Sequence, residues 1–273
     1  MILWGQNLPD ELLTAAERDE LARWDASLPP PVEDIWQCMD DAWGSAIHDA
    51  SSIGAFYRHP IWLVNGVFTA VDAISCSHRQ AIAAWVASRP CRRIADVGGG
   101  LGALAQTIVQ QADSVEVEIV EPFVHPIAHA RCAQAPRVRY VDSLAGDYDV
   151  VIAQDVLEHV DDPIALVLEA ANAIRPGGFA IFANCFFPVI KCHLPQTFHL
   201  RHTFRWVAAP LRITFVERIR GAEHALVFQR SEGSPDLAAA RRRERISRLF
   251  GPPVNGLHAL LVDLYMKIRR WQG

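Results

Sequence analysis

The sequence predicts an α/β protein: a mostly parallel sheet closed by an antiparallel hairpin, with a helical cap before it and a helical extension after it. Three observations predict it. Residues 92–104 read as a short buried strand, a glycine turn and the start of a helix. Apolar strand-like runs then alternate with helical spacing as far as residue 182. Two further strand-like runs, 212–218 and 224–229, are joined by a turn at Arg220-Gly221. The division expected is a cap over 1–90, a core over 91–232 and an extension over 233–273.

Composition limits the function classes. Half of the 273 residues are hydrophobic and 21% are charged, ordinary values for a globular chain. The formal net charge of −5 gives no general affinity for nucleic acid. Charge is uneven, however: residues 1–60 hold eleven acids against three Lys/Arg, and residues 201–273 hold fourteen Lys/Arg against six acids. No apolar run approaches the roughly 20 residues of a membrane span. The six cysteines form no C-x-x-C pair, and the N-terminus lacks the pattern of a secretory leader, so a cytoplasmic location with reduced thiols is expected.

The cap comes first. Helical spacing runs over 9–24, with Asp10 or Thr14 as candidate caps, stops at Pro29-Pro30-Pro31, and resumes over 32–47. A long helical pattern then covers 61–88, with a break expected near 75–77. These segments are rich in Trp and cannot bury their own apolar faces, so they must pack on the core or on a second copy. Tyr57, Arg58, His59, Asn65 and His78 are the polar groups here that could reach a ligand.

Ile94, Ala95 and Val97 form the strand before Gly98, Gly99, Gly100 and Gly102. Glycine lacks a Cβ, so such a turn lets backbone N–H groups and a helix N-terminus approach a nucleotide-like ligand. Gly98, Gly100 and Ala103 fit the dinucleotide pattern G-x-G-x-x-G/A. Asp96, Gly98, Gly100 and Gly102 equally fit D-x-G-x-G-x-G. A second strand over 115–120 ends at Glu121, nineteen residues after Gly102. That is near the spacing at which an acid accepts hydrogen bonds from ribose hydroxyls, whichever cofactor carries the ribose. A helix over 124–133 and a strand over 138–141 lead to Asp142. The pair His125 and His129 is expected on the surface.

The stretch 148–163, Y-D-V-V-I-A-Q-D-V-L-E-H-V-D-D-P, and the R-P-G-G turn at 175–178 complete a set of three motifs. In this order and spacing they resemble the class I S-adenosylmethionine (SAM) methyltransferases of the ubiquinone O-methyltransferase type. The resemblance covers about 91–230. It implies a Rossmann-like sheet, SAM as cofactor, a small-molecule acceptor and a cap that roofs the pocket. It further implies that Asp96, Gly98, Gly100, Gly102 and Glu121 hold SAM, with Asp142 at the adenine and Gln154 nearby. Asp96 favours SAM's cationic amino-acid part over a pyrophosphate, which it would repel. Two rival readings stand beside it: an NAD-dependent oxidoreductase on the same turn, and a SAM-binding protein without turnover.

O-methylation needs a group to take the acceptor's proton, and histidine suits that task. His159 stands at the end of the fourth core strand. His193, His199 and His202 fall in the segment after the fifth, among aromatic and basic side chains. With Lys191 and Arg201 they could bind an anionic acceptor. A Zn²⁺ held by these imidazoles with Cys192, or with Glu158 and His159, is a rival use of the same groups. The spacing H-x5-H-x2-H matches no metal pattern, and no metal is assigned. In the extension, five arginines between 241 and 248 read as a solvated helix face. Pro252-Pro253 should separate that helix from a last one over 257–271, whose apolar stripe Leu257, Leu260, Leu261, Leu264 and Ile268 could pack across a homodimer interface.

Overall fold

A computed structural model describes residues 1–46 and 53–271. A small hairpin, β1 (Ile2–Leu3) and β2 (Gln6–Asn7), opens the chain. The central sheet is made of β3 (Arg93–Val97), β4 (Glu116–Val120), β5 (Val138–Val141), β6 (Tyr148–Gln154), β7 (Ile174–Ala183), β8 (Ile213–Ile219) and β9 (Ala222–Arg230). Its spatial order is β5-β4-β3-β6-β7-β9-β8. The strands β3 to β7 are mutually parallel, β9 runs antiparallel to β7, and β8 runs antiparallel to β9. The order reverses between β3 and β6. In an open α/β sheet this opens a ligand crevice beyond the carboxyl ends of those two strands.

The central strands read as unbroken apolar runs because both faces are covered. Ile94, Val117, Val150, Ile152 and Ile181 face one layer, formed by α5 (Ala73–Ala87) and α6 (Ala103–Gln111). Ala95, Val97, Val151, Ala153 and Phe182 face the other, where α8 (Pro163–Ala173) and α9 (Phe204–Ala208) pack. Among the described residues, no helix is long and apolar enough to cross a membrane.

The cap contains α1 (Ala15–Leu21), α2 (Val32–Ala46), α3 (Ile53–Tyr57) and α4 (Ile61–Val71). Thr14 starts α1 through a capping box with Glu17, an arrangement worth about 1 kcal/mol. The cap's core of Leu3, Trp4, Leu8, Ile35, Met39, Phe56, Val64 and Phe68 also takes in Leu101 of the glycine turn and Ile190 and Cys192 from the chain after β7. The cap is thereby rooted in the glycine turn and in the chain after β7.

Three features differ from the sequence expectation. The long helix breaks at Asp72, not near 75–77, because the Asp72 side chain accepts the Ser75 N–H at 2.8 Å and starts α5 there. His125 is half-buried: it caps α7 (Pro126–Cys132), and its Nε2 meets Glu17 of the cap at 2.9 Å. A single helix, α10 (Leu237–Trp271), runs through Pro252 and Pro253. The prolines remove only the bonds to the carbonyls of Arg248 and Leu249, on exposed residues where water can replace them. The expected apolar stripe from Leu257 lies outside the described side chains.

Candidate active site

The turn after β3 is built from backbone. Gly98, Gly100 and Gly102 have φ of 71°, 52° and 78°. At Gly98 a Cβ would also sit 2.5 Å from Val156, so both conformation and space require glycine. The Gly98 N–H donates to Val120 O at 2.8 Å, and the Tyr140 hydroxyl donates to Gly100 O at 2.7 Å. Beneath the turn lies Asp96, 2% exposed. Its Oδ2 has no hydrogen-bond partner and would be 2.6 Å from a Cβ on Gly99. Burial, reinforced by Glu121, raises its pKa to about 7. Glu121 closes the turn from β4, its Oε2 accepting the Gly100 N–H at 3.1 Å and its Oε1 the Phe123 N–H at 3.0 Å. Asp142 stands exposed just past β5, and Gln154 ends β6 with its amide 3.3 Å from Asp155.

The cap meets this turn directly. On α4, a Cβ at Gly66 would be 2.8 Å from Leu101, so glycine permits the close approach. A row of rings then crosses from the end of β4 to the end of β6. Phe123 stacks on Tyr57 with centroids 5.6 Å apart, Tyr57 meets Trp62 at 5.0 Å, Trp62 meets His159 at 6.3 Å, and His159 meets His193 at 4.9 Å. Tyr57, Phe123 and Trp62 escape prediction from sequence as a row, because they belong to separate segments. The abundance of Trp in the cap was the available signal. His59 and His78 are used elsewhere: His59 Nδ1 accepts the Ile61 N–H, and His78 packs on His224 of β9.

At the end of β6 the chain makes one tight turn, 157–159. Glu158 is fully buried, and its Oε1 accepts the Cys185 N–H at 2.7 Å while Oε2 has no partner. Burial and the nearby Asp155 raise its pKa to about 8. His159 Nδ1 lies 3.1 Å from Cys192 O, and His193 Nδ1 lies 2.9 Å from Phe187 O. Burial, with His193 alongside, lowers the His159 pKa to about 4, and burial also lowers that of His193. Burial thus disfavours the charged form of both imidazoles.

The structure brings His159 and His193 together and places the other two histidines apart from them. His199 is buried against α10, with Nδ1 2.8 Å from Ser247 Oγ, and burial lowers its pKa to about 4. His202 is exposed beside a shallow depression lined by Arg205, Trp206 and Phe215. Lys191 is tied to the cap, its N–H donating to Asp40 Oδ1 at 2.6 Å. In α10, Arg241 pairs with Asp162 and Glu244, Arg248 with Glu244, and Arg243 covers Trp206. Arg241 and Arg243 therefore help dock the helix, while Arg242, Arg245 and Arg248 stay exposed on its solvent face. A cavity of about 750 Å³ between α6, α7 and β2 holds none of the predicted site residues.

A methyltransferase-domain family model matches residues 72–218. The chain belongs to that family, an enzyme family of transferases whose cofactor is SAM. The ubiquinone biosynthesis O-methyltransferase of Aliivibrio fischeri (strain MJ11) is 33% identical over 103 residues, covering 34% of this chain and 44% of the relative. The chain spans about half the length of the curated relatives it matches. An O-methyltransferase family protein from Burkholderia thailandensis shares the fold, with a TM-score of 0.54 at 18% identity over 81% of this chain and 77% of that one. Human N-acetylserotonin methyltransferase, solved with SAM, gives 0.51 at 16% identity over 74% and 68%. The chain's own groups fit such a cofactor: a glycine cradle that a Cβ would fill, and a buried Asp96 oxygen without a partner.

Proposed function

We propose that the chain transfers a methyl group from SAM to an oxygen of a small-molecule acceptor. The observation that carries this reading is the crevice itself. A glycine cradle and Glu121 stand on one side, a neutral imidazole pair stands on the other, and a row of aromatic rings roofs the span between them. Asp96 supports the cationic end of the cofactor from beneath the turn, and Gly98, Gly100 and Gly102 allow it to lie against the backbone. Glu121 receives the ribose hydroxyls, Asp142 the adenine amino group, and Gln154, at the end of β6, stands beside the same crevice. When bound, SAM supplies an activated methyl, so the chain has to orient the acceptor, exclude water and accept a proton.

His159 and His193 perform the last task. Each has Nδ1 against a backbone carbonyl, which leaves the Nε2 lone pair for the acceptor's hydroxyl. His199 and His202 are left out of this role. The preference for oxygen is supported by the O-methyltransferase names of the relatives. The test is methyl transfer from radiolabelled SAM to a panel of phenols, hydroxy acids and amines. The expected result is label on a hydroxyl oxygen, lost in Glu121→Ala. Label on amines alone, or on nothing, would contradict the reading.

A further inference from the structure

The cavity of about 750 Å³ beside α6 is lined by polar side chains that methyl transfer does not use. It runs along α6 from Ala103 to Asp113, just past the helix end, and reaches Arg137 at the amino end of β5. The crevice lies at the carboxyl ends of the strands, so the cavity extends towards the opposite edge of the sheet. Its size falls within the roughly 300–1,000 Å³ of small-molecule sites. Three arginines from separate segments line it: Arg79 of α5, Arg131 of α7, and Arg137. Against them stands one acid of the lining, Asp113, which is exposed.

Among the described residues, the hydrogen-bond partners of these arginines are all neutral. Arg79, 8% exposed, donates to Thr69 O at 2.6 Å, Ala70 O at 3.2 Å and Cys76 Sγ at 3.1 Å. Arg137 donates to the carbonyls of Val109, Ala112 and Val115. Neutral acceptors satisfy N–H groups but leave the charge uncompensated, and an arginine as buried as Arg79 ordinarily has an acid beside it. Arg131 has donors to spare. Its acceptor among the described residues is Gln6 Oε1 at 3.1 Å, so most of the five N–H groups of its guanidinium have no protein partner. Burial lowers its pKa, and no acid offsets that effect. Gln106, about one turn into α6, adds an independent observation. It lines the same cavity, and its side-chain nitrogen is buried without a hydrogen-bond partner. Such a donor costs about 1–3 kcal/mol, a cost that an acceptor in the cavity removes.

We propose that this cavity binds a small molecule bearing a multivalent oxyanion group, phosphate or polycarboxylate, with Arg131 as its anchor and Gln106, Arg79 and Arg137 completing the donor set. The planar guanidinium fork matches the paired oxygens of phosphates and carboxylates. Three arginines without acid partners suit a ligand of two or more negative charges better than a monocarboxylate. The site stands independently of the methyl-transfer reading. The competing account makes the arginines clamps alone, Arg131 holding β2 through Gln6 and Arg137 holding the end of α6. Clamps of that kind need no anion, and they leave the buried nitrogen of Gln106 without a purpose.

The test is calorimetric titration of the full-length protein with sodium pyrophosphate and, separately, with citrate. Ionic strength is held constant, and each titration is run with and without saturating S-adenosylhomocysteine (SAH). Saturable binding of at least one probe is expected, one per chain and unchanged by SAH; the tighter probe shows whether phosphate or carboxylate is the preferred group. Arg131→Gln and Gln106→Leu should each weaken it by about tenfold or more with the far-UV spectrum unchanged. Gln106→Leu keeps the volume and removes only the unsatisfied donor, so it carries the test where Arg131→Gln does not fold. No saturable binding of either probe, binding that SAH displaces, or binding as tight in a folded variant as in wild type overturns the site.

Discussion

The neighbouring strands β3 and β6 end alike and are completed differently. Each leads to a buried carboxylate with one unpartnered oxygen, Asp96 Oδ2 and Glu158 Oε2. Around Asp96 the surroundings are mostly contiguous backbone, residues 96–102, tied to Val120, Glu121 and Tyr140 at the ends of the two neighbouring strands. Around Glu158 they are side chains and backbone from distant segments: His193, Cys185, and beyond His159 the cap's Trp62. A backbone site is set by a short run of glycines and tolerates almost no change within it. A site assembled where three segments meet can change its acceptor by altering the roof while the floor stays fixed.

This comparison orders the effects of substitution. Gly98→Val should be the most damaging. It forces a β-branched residue to φ 71° and a Cβ to 2.5 Å from Val156, and calorimetry should find SAH binding abolished. Binding close to that of wild type would mean that the cradle is not where the cofactor lies. Glu121→Ala comes next, with SAH affinity expected to fall about 10- to 100-fold through loss of charge-assisted hydrogen bonds. Trp62→Ala should divide the two regions. Acceptor KM is expected to rise about tenfold, whereas SAH affinity should change less than about threefold. A parallel loss of SAH binding would show that roof and floor are not separable.

The smallest effect concerns pH. With its folded pKa raised to about 7, Asp96 binds its proton more tightly in the folded protein than in the unfolded chain, where its ordinary value is 3.8. Its contribution to stability is therefore complete below that value and declines as pH rises towards 7. Glu118 has the opposite sign. The Tyr148 hydroxyl with Arg139 and Arg93 hold its pKa below 4.5 in spite of burial, so its contribution is lost only as pH falls below that value. Melting temperatures of ligand-free wild type and Asp96→Asn should accordingly diverge between pH 5 and 7, in the window 3.8 to about 7, with the wild type losing stability more steeply. Parallel curves would show Asp96 to be ionised in the empty turn.

Legibility in the sequence followed the same division. The glycine turn, the acid ending β4, the V-L-E-H-V stretch and the closing hairpin are short-range patterns, and each could be read before any coordinates. His193 and His199 could not be told apart, because they share a segment and differ only in what lies above them. His193 has Phe187 O and His159, whereas His199 has Ser247 of a helix nearly fifty residues later. The helix passing through Pro252 and Pro253 was missed for a related reason: local propensity forbids it, and exposed carbonyls relieve the cost. The aromatic row from Phe123 to Trp62 joins separate segments and has no spacing to betray it.

The central claim is that the crevice at the carboxyl ends of β3 and β6 takes SAM. The most direct test is calorimetric titration of the wild-type protein with SAH and, separately, with NADH. The account predicts micromolar SAH binding and no heat with NADH; binding of NADH without SAH would contradict it.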